Sequence, residues 1–417
     1  MRHTLNSIKY SLLILIFVSL PIDVHAQQRR KGTSTRKIPG PTAQFVSGRS
    51  ALRIPLELDN NIILMRVRVN NSQPLKFIFD TGASASVISP ELAKQLGLKT
   101  EGRVRGTATG GSIEASMIKG VTLSVEGAKV SNQLIAAISF GAISCFKFDG
   151  VLGYDFINQF VVEIDYTNSV MNLYDPKSFS YSGKGEVIPI SLADRTPLTN
   201  AKIVLEAGEP IVANLVVDTG GDGTFVINSP FVDRHKLVEA IPKTIDGSSV
   251  GAGVEQKRLL GRVKAVQLGR LIIENPTVAL ARDTEGTGAS DDNHGIIGGE
   301  IFRRFKVILD YSRKQMILEA NKSFGDPYEV GMSGINFETD EKDCKALKIG
   351  SIGENSAAAE AGLQPGDIIT AIAGTPTSRI SSEQLEIGFK QHGRQLALTV
   401  QRGAALLAKR ITLRRAI

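Results

Sequence analysis

Between about residue 54 and residue 320 the apolar positions recur with period two, and they predict strands rather than long helices. The pattern comes twice. One alternating run begins near Ile54 and a second near Ile188. Each is followed by a turn that ends in proline, Asn70-Asn71-Ser72-Gln73-Pro74 and Glu206-Ala207-Gly208-Glu209-Pro210. A second apolar run follows each turn, Leu75–Phe79 and Ile211–Val217, so each copy is expected to open with a hairpin. Both runs lead directly into the same tripeptide, Asp80-Thr81-Gly82 and Asp218-Thr219-Gly220. A short apolar strand then reaches Ser89-Pro90 and Ser229-Pro230, where serine as N-cap and proline as first helical residue predict a short helix. Glycine-rich segments come next, Gly106–Ser112 and Gly247–Gly253. Each copy closes with Gly150-Val151-Leu152-Gly153 or Gly295-Ile296-Ile297-Gly298, then an Asp-Tyr pair, Asp165-Tyr166 or Asp310-Tyr311. The two D-T-G elements lie 138 residues apart and Gly150 and Gly295 lie 145 apart, the mark of a duplicated unit rather than a solenoid.

Beyond residue 325 the repeat ends. Ser356–Leu363 reads as a short helix closed by Gly362, Gln364–Asp367 as a turn and Ile368–Gly374 as a strand into another turn. Ser382–Gln391 suits a helix and Leu396–Val400 an alternating strand. At the other end, Arg2 and Lys9 precede the apolar run Ser11–Leu20, and Val24-His25-Ala26 offers a cleavage site, so residues 1–26 are expected to be a secretory signal peptide. Residues 27–48 read as a basic flexible linker. The expected organisation is completed by lobes at 49–185 and 186–322 and a module at 325–417.

Composition narrows the function. The 417 residues are 42% hydrophobic and 22% charged, which excludes a disordered or fibrous chain. The net charge of +7 falls to +6 without residues 1–26, which hold Arg2, Lys9 and Asp23. It falls to +1 without Arg29, Arg30, Lys31, Arg36 and Lys37 as well. The folded body is nearly neutral, so no nucleic-acid partner is expected. Membrane contact is expected only through an uncleaved signal or the basic tail. The five histidines and two cysteines show no metal-ligand spacing, so neither metal nor cofactor is expected. Cys145 and Cys344 fall in different modules, and free thiols and a pair across the modules both stay open.

The duplicated aspartates carry the chemistry. Burying a carboxylate at a strand end is costly and needs a reason. Glycine behind it allows a tight turn, and threonine brings a hydroxyl to brace that turn. Across a two-fold axis the two loops would meet, and two carboxylates in one site would share a proton. One can then activate water while the other protonates a carbonyl oxygen. Gly247–Gly251 also matches the serine-hydrolase pattern G-x-S-x-G, but a polar stretch precedes it where a strand is required.

At Phe77–Ala83 with Val151–Gly153, and at Val216–Gly221 with Ile296–Gly298, the chain resembles the pepsin/retropepsin class of aspartic proteases, over about residues 53–320. The resemblance implies a mainly β fold, with two tandem retropepsin-like lobes forming one bilobal unit. It implies catalytic roles for Asp80 and Asp218, and support from Thr81, Gly82, Thr219 and Gly220. It also implies glycine-rich flaps, with Thr109, Gly110 and Gly111 in copy one and Gly251 and Gly253 in copy two. The pepsin-type flap tyrosine is absent, since no tyrosine lies between Ala83 and Val151. Many relatives place a hydroxyl residue after D-T-G; here Ala83 and Gly221 stand there, so the carboxyls are expected to titrate nearer neutrality. Asp222 is expected to be an exposed turn residue. Residues 325–417, with Ala358-Ala359-Glu360-Ala361-Gly362-Leu363-Gln364-Pro365-Gly366-Asp367 at their centre, resemble a bacterial-type α+β PDZ domain. This implies capture of a peptide by strand addition, often through its C-terminal carboxylate, with Gly334, Ile335, Asn336 and Phe337 as the candidate loop. The combined expectation is an exported, most plausibly periplasmic, aspartic endopeptidase acting on protein or peptide substrates. The rival reading is a catalytically silent peptide-binding adaptor.

Overall fold

The computed structural model describes residues 9–12, 40–109, 111–140, 146–251, 254–338 and 346–417. Cys145, Cys344, Gly110 and Gly253 lie outside the described residues.

Each copy forms its own sheet. In copy one the strand order runs Thr42–Phe45, Ala128–Ala137, Val87–Ile88, Gly150–Leu152, Leu75–Phe79, Ile62–Val69, Gly111–Val125, Glu101–Ala108. Copy two follows the same plan through Phe225–Ile227, Gly295–Ile297, Ile211–Val217 and Thr196–Val204. In both, the strand before D-T-G pairs in parallel with the closing Gly-apolar-apolar strand, Phe77 opposite Gly150 and Leu215 opposite Gly295. The glycines are required there. A side-chain carbon at Gly150 would lie 2.6 Å from the Phe77 ring, and one at Gly295 would lie 2.0 Å from the Val226 carbonyl oxygen. A third sheet takes strands from both copies, in the order Glu186–Pro189, Gln315–Ala320, Phe305–Asp310, Val161–Asp165, Val170–Tyr174, Ser50–Pro55. One apolar core, with Phe79, Phe156, Val217 and Phe302, runs through both lobes, so they form one bilobal unit. The C-terminal module has a separate core around Ile349, Ile369, Val400 and Leu413.

The expected helix starts differ between copies. In copy one Ser89 caps Pro90–Gln95, its hydroxyl accepting the Leu92 N–H at 3.0 Å. In copy two the helix begins one residue early, at Ser229–Arg234, behind Asn228. The Asn228 amide instead donates to the carbonyls of Ser290 and Asn293, so this helix start has no side-chain cap. The expected linker 27–48 also ends early. Thr42–Phe45 pairs antiparallel with Ala128–Ser131, and Phe45 meets Phe160 edge-on at 5.4 Å. Within the expected leader, Lys9–Leu12 forms a short strand parallel to Ser248–Val250.

The connector to the C-terminal module is fastened to lobe two. Arg304 is fully buried, and its guanidinium donates to the carbonyls of Ser323, Asp326 and Pro327 and to Glu300. It also lies 3.7 Å over the Tyr328 ring. Arg262 adds a bond to the Tyr328 carbonyl at 2.8 Å, and Arg415 pairs with Glu329. Replacing Arg304 strands several buried acceptors together with the Glu300 carboxylate. Arg304→Ala is expected to destabilise the protein by about 3–5 kcal/mol in urea unfolding. Limited proteolysis should then cut first between residues 321 and 331.

Candidate active site

Asp80 and Asp218 each follow the last residue of a buried central strand, and both are 0% exposed. The loops behind them are bound to each other reciprocally. The Thr81 N–H donates to Thr219 Oγ1 at 3.1 Å, and the Thr219 N–H donates to Thr81 Oγ1 at 3.0 Å. Each hydroxyl passes its own proton across the interface, Thr81 to the Val217 carbonyl at 2.6 Å and Thr219 to the Phe79 carbonyl at 2.9 Å. Four bonds therefore tie the ends of the two D-T-G strands together. The loops are close enough that a carbon added at Gly220 would lie 2.4 Å from Asp80 Cγ, so only glycine fits.

The carboxyls are held on one side. Asp80 Oδ1 accepts the N–H groups of Gly82 at 2.7 Å and Ala83 at 3.1 Å, and Asp218 Oδ1 accepts that of Gly220 at 2.8 Å. Amide donors favour the charged form, but they do not win. Burial, then the charge of Asp218 and hydrogen bonding with it, holds Asp80 well above the usual carboxylate range. Burial pushes Asp218 up to about 7. The pair thus shares a proton near neutrality. Burial comes first among the causes, ahead of any hydroxyl missing from Ala83 and Gly221. Among the described residues no cluster of histidine, cysteine, aspartate or glutamate could hold a metal ion.

Both glycine-rich segments are hairpins. Glu101–Ala108 pairs with Gly111–Val125, Ala108 opposite Gly111, and Thr244–Gly251 pairs with Val254–Arg262, Gly251 opposite Val254. The G-x-S-x-G match therefore lies inside a strand, not at a strand-to-helix turn, and Ser249 faces Gln256 across the hairpin. The first hairpin tip is docked on lobe two. Thr109 is buried, and its carbonyl accepts the Gln256 amide. Gln256 Oε1 in turn accepts from Arg258, and Arg258 is ion-paired with Asp283 at 2.7 Å with both side chains nearly buried. The Gly286 backbone packs so close to the Thr109 and Ala108 carbonyls that a side chain there would collide with them. Sequence patterning does not single out Gln256, Arg258 or Asp283, because a lone polar residue in an alternating strand looks like a solvent-facing one. Tyr311, stacked on Tyr154 at 5.9 Å, was likewise noted only as part of a repeat; burial, then the charges of Tyr154 and Asp80, raises its hydroxyl. Asp222 is half-buried rather than exposed, and its carbonyl accepts the Asn61 amide of lobe one at 2.9 Å.

The candidate PDZ residues divide. Ile335 and Phe337 line a groove, and the Phe337 ring meets Phe389 edge-on at 5.9 Å. Asn336 is turned away from it and donates to Ser351 Oγ at 2.9 Å. Gly334 adopts a positive φ of 72° and packs where a side chain would strike Ser356.

Two lobes with interlocked D-T-G loops and a separate C-terminal α+β module give the chain the arrangement of a bilobal aspartic protease followed by a PDZ-type module. Comparison with known families agrees with this. Residues 65–156 and 201–301 match the aspartyl protease family, and residues 348–402 match the PDZ domain family. Comparison with curated proteins gives no match.

Removing the Thr81 hydroxyl leaves the Thr219 N–H and the Val217 carbonyl unpaired. Thr81→Val is expected to cost about 2–4 kcal/mol in chemical denaturation. Thr81→Ser should recover most of that loss.

Proposed function

We propose that this protein is an exported aspartic-type endopeptidase in which Asp80 and Asp218 share one proton and activate water against a peptide bond. The observation that carries the reading is the buried carboxyl pair locked by reciprocal threonine bonds. An adaptor has no need for two matched acids held at a desolvation cost. In the singly protonated pair, the charged carboxyl takes a proton from water as the water attacks. The protonated carboxyl supplies its proton to the carbonyl oxygen, which becomes a hydroxyl of the tetrahedral intermediate. On collapse the first carboxyl gives its proton to the departing nitrogen and the second takes one from a hydroxyl of the intermediate, so acid and amine leave and the pair again holds one proton. Thr81, Gly82, Thr219 and Gly220 hold the two acids in register.

The hairpins act as flaps. With both acids inaccessible, the Thr109–Gln256 bond has to open before substrate enters, and closure then excludes bulk water. The same closure favours a second reading, a silent adaptor whose covered dyad does not turn over. Residues 1–26 would direct export, most plausibly to a bacterial periplasm, and the PDZ domain would recruit the protein to be cut.

Cleavage of denatured casein between pH 3 and 8 tests this. Wild type is expected to cleave, with a maximum nearer neutrality than a pepsin-like pH of about 2–3. Activity falls at alkaline pH as the shared proton is lost. Asp80→Asn and Asp218→Asn should each lower kcat by about 10²–10⁴-fold. A folded wild type that is inert over the whole range, yet binds peptides, gives the adaptor reading the lead.

The raised carboxyls also predict how stability depends on pH. Asp218 binds more protons in the folded chain than in the unfolded one between the ordinary aspartate value of 3.8 and about 7, and Asp80, held well above its ordinary value by burial, shifts in the same direction. The Asp218 contribution to stability is therefore full below that window and lost as pH rises through it. Asp218→Asn removes the Asp218 share of the loss, so its melting temperature relative to wild type should be higher at pH 8 than at pH 4.

A further inference from the structure

A cavity of about 460 Å³ lies between lobe two and the PDZ domain. Two sheet edges line it. Ile335–Glu338 is the edge strand of the PDZ sheet. Thr244–Gly251, the outer strand of the second flap hairpin, is an edge of its own sheet apart from the short Lys9–Leu12 segment. The PDZ helix Ser382–Phe389 supplies apolar side chains, Leu385 and Phe389, and the far end of the cavity reaches Asp222 and Gly223 beside the second catalytic loop.

We propose that this groove is a composite strand-addition site, which takes an internal, uncharged, apolar segment of a protein substrate between the second flap and the PDZ edge. Three observations select that occupant. First, the backbone of Lys9–Leu12 lies there as a strand, paired with Ser248–Val250 and set against Ile335–Glu338, so the gap accommodates one extended chain. Second, six of the seven charged side chains that line the groove are ion-paired within the protein, and the seventh, Asp222, lies at its far end. Arg258 is paired with Asp283, Lys390 with Glu386, Glu329 with Arg415, Glu338 with Lys348, and Glu300 with Arg303 and Arg304. Third, two N–H groups of the loop before the PDZ edge are already in use. Met332 donates to the Phe389 carbonyl, and Ile335 donates to Ser333 Oγ at 3.1 Å. That loop is poorly disposed to take a terminal carboxylate. Ser248 Oγ and Ser249 Oγ, both nearly buried and without a hydrogen-bond partner, also line the groove and offer bonds to a passing backbone.

The inference rests on the protease reading for what the groove serves, but binding can be measured without catalysis. Asp80→Asn full-length protein is titrated with a fluorescein-labelled octapeptide of alternating valine and threonine, amidated at its C-terminus. The same peptide with a free carboxylate and an acidic analogue are run beside it. The amidated and free forms are expected to bind within about twofold of each other, and the acidic analogue at least about tenfold more weakly. Ser249→Lys on the lobe-two wall and Leu385→Glu on the PDZ wall should each weaken binding at least about tenfold. Their thermal transitions, compared with the parent, separate this from misfolding. A photoreactive residue in the peptide should label both 244–251 and 335–338, a readout that needs no substitution. Binding that requires the free carboxylate, labelling of the PDZ edge alone, or no binding at all overturns the proposal. Failure of casein cleavage with binding intact would instead count against the protease reading alone.

Discussion

Everything around the paired carboxyls depends on the reciprocal bonds between Thr81 and Thr219. Two buried carboxyls of like charge repel each other when both ionise, and two separate lobes could relieve that by moving apart. The threonine pair prevents this. Each hydroxyl accepts an amide and donates to a carbonyl of the opposite lobe, so neither loop can retreat without stranding buried polar groups on both sides. The contact of Gly220 with Asp80 shows how little slack remains. The shared core and the mixed third sheet provide the rigid backing that such a constraint needs.

Given that lock, burial becomes the lever on the chemistry. The amides of Gly82, Ala83 and Gly220 stabilise the charged forms, and in an open site they would hold both carboxyls low. Closure reverses the balance: desolvation is the first cause of the upward shift at both aspartates. Reading the sequence attributes the same direction of shift to the missing hydroxyls at Ala83 and Gly221. The direction agrees, but the leading cause is one that no local motif displays.

What was legible in the sequence is what is local or periodic. The paired D-T-G loops, the strands before them, the closing Gly-apolar-apolar elements and the PDZ turn at Pro365-Gly366-Asp367 all sit where spacing and period two place them. What was not legible is long-range and polar. Nothing in the local pattern marks Arg258 or Arg304, yet both are buried and fixed by partners 19 to 25 residues away. Asn228 displaced Ser229 as the residue before its helix because its amide is engaged by Ser290 and Asn293, which no local rule weighs. Thr42–Phe45 joined the fold although its surroundings read as linker, since an edge strand needs only a backbone to pair with and one ring, Phe45, to bury.

The duplication also explains how access and recognition come to share one element. Lobe two carries the hairpin Thr244–Arg262, and that hairpin is engaged from two sides. Gln256 holds the Thr109 carbonyl of the first flap tip, and Ser248 and Ser249 on the paired strand line the groove facing the PDZ domain. Arg258 belongs to both, bonded to Gln256 while lining the groove. The connector fixed by Arg304 keeps the PDZ domain against this lobe rather than on a swinging tether. On the strand-addition proposal, a chain segment added to the outer strand would bear on the same hairpin that binds the Thr109 tip. It can favour opening only by as much as it binds the open arrangement better than the closed one. The two copies differ in what surrounds their D-T-G loops: lobe one carries the hairpin with Thr109 at its tip, and lobe two carries the residues that bind that tip and the surface that faces the C-terminal domain.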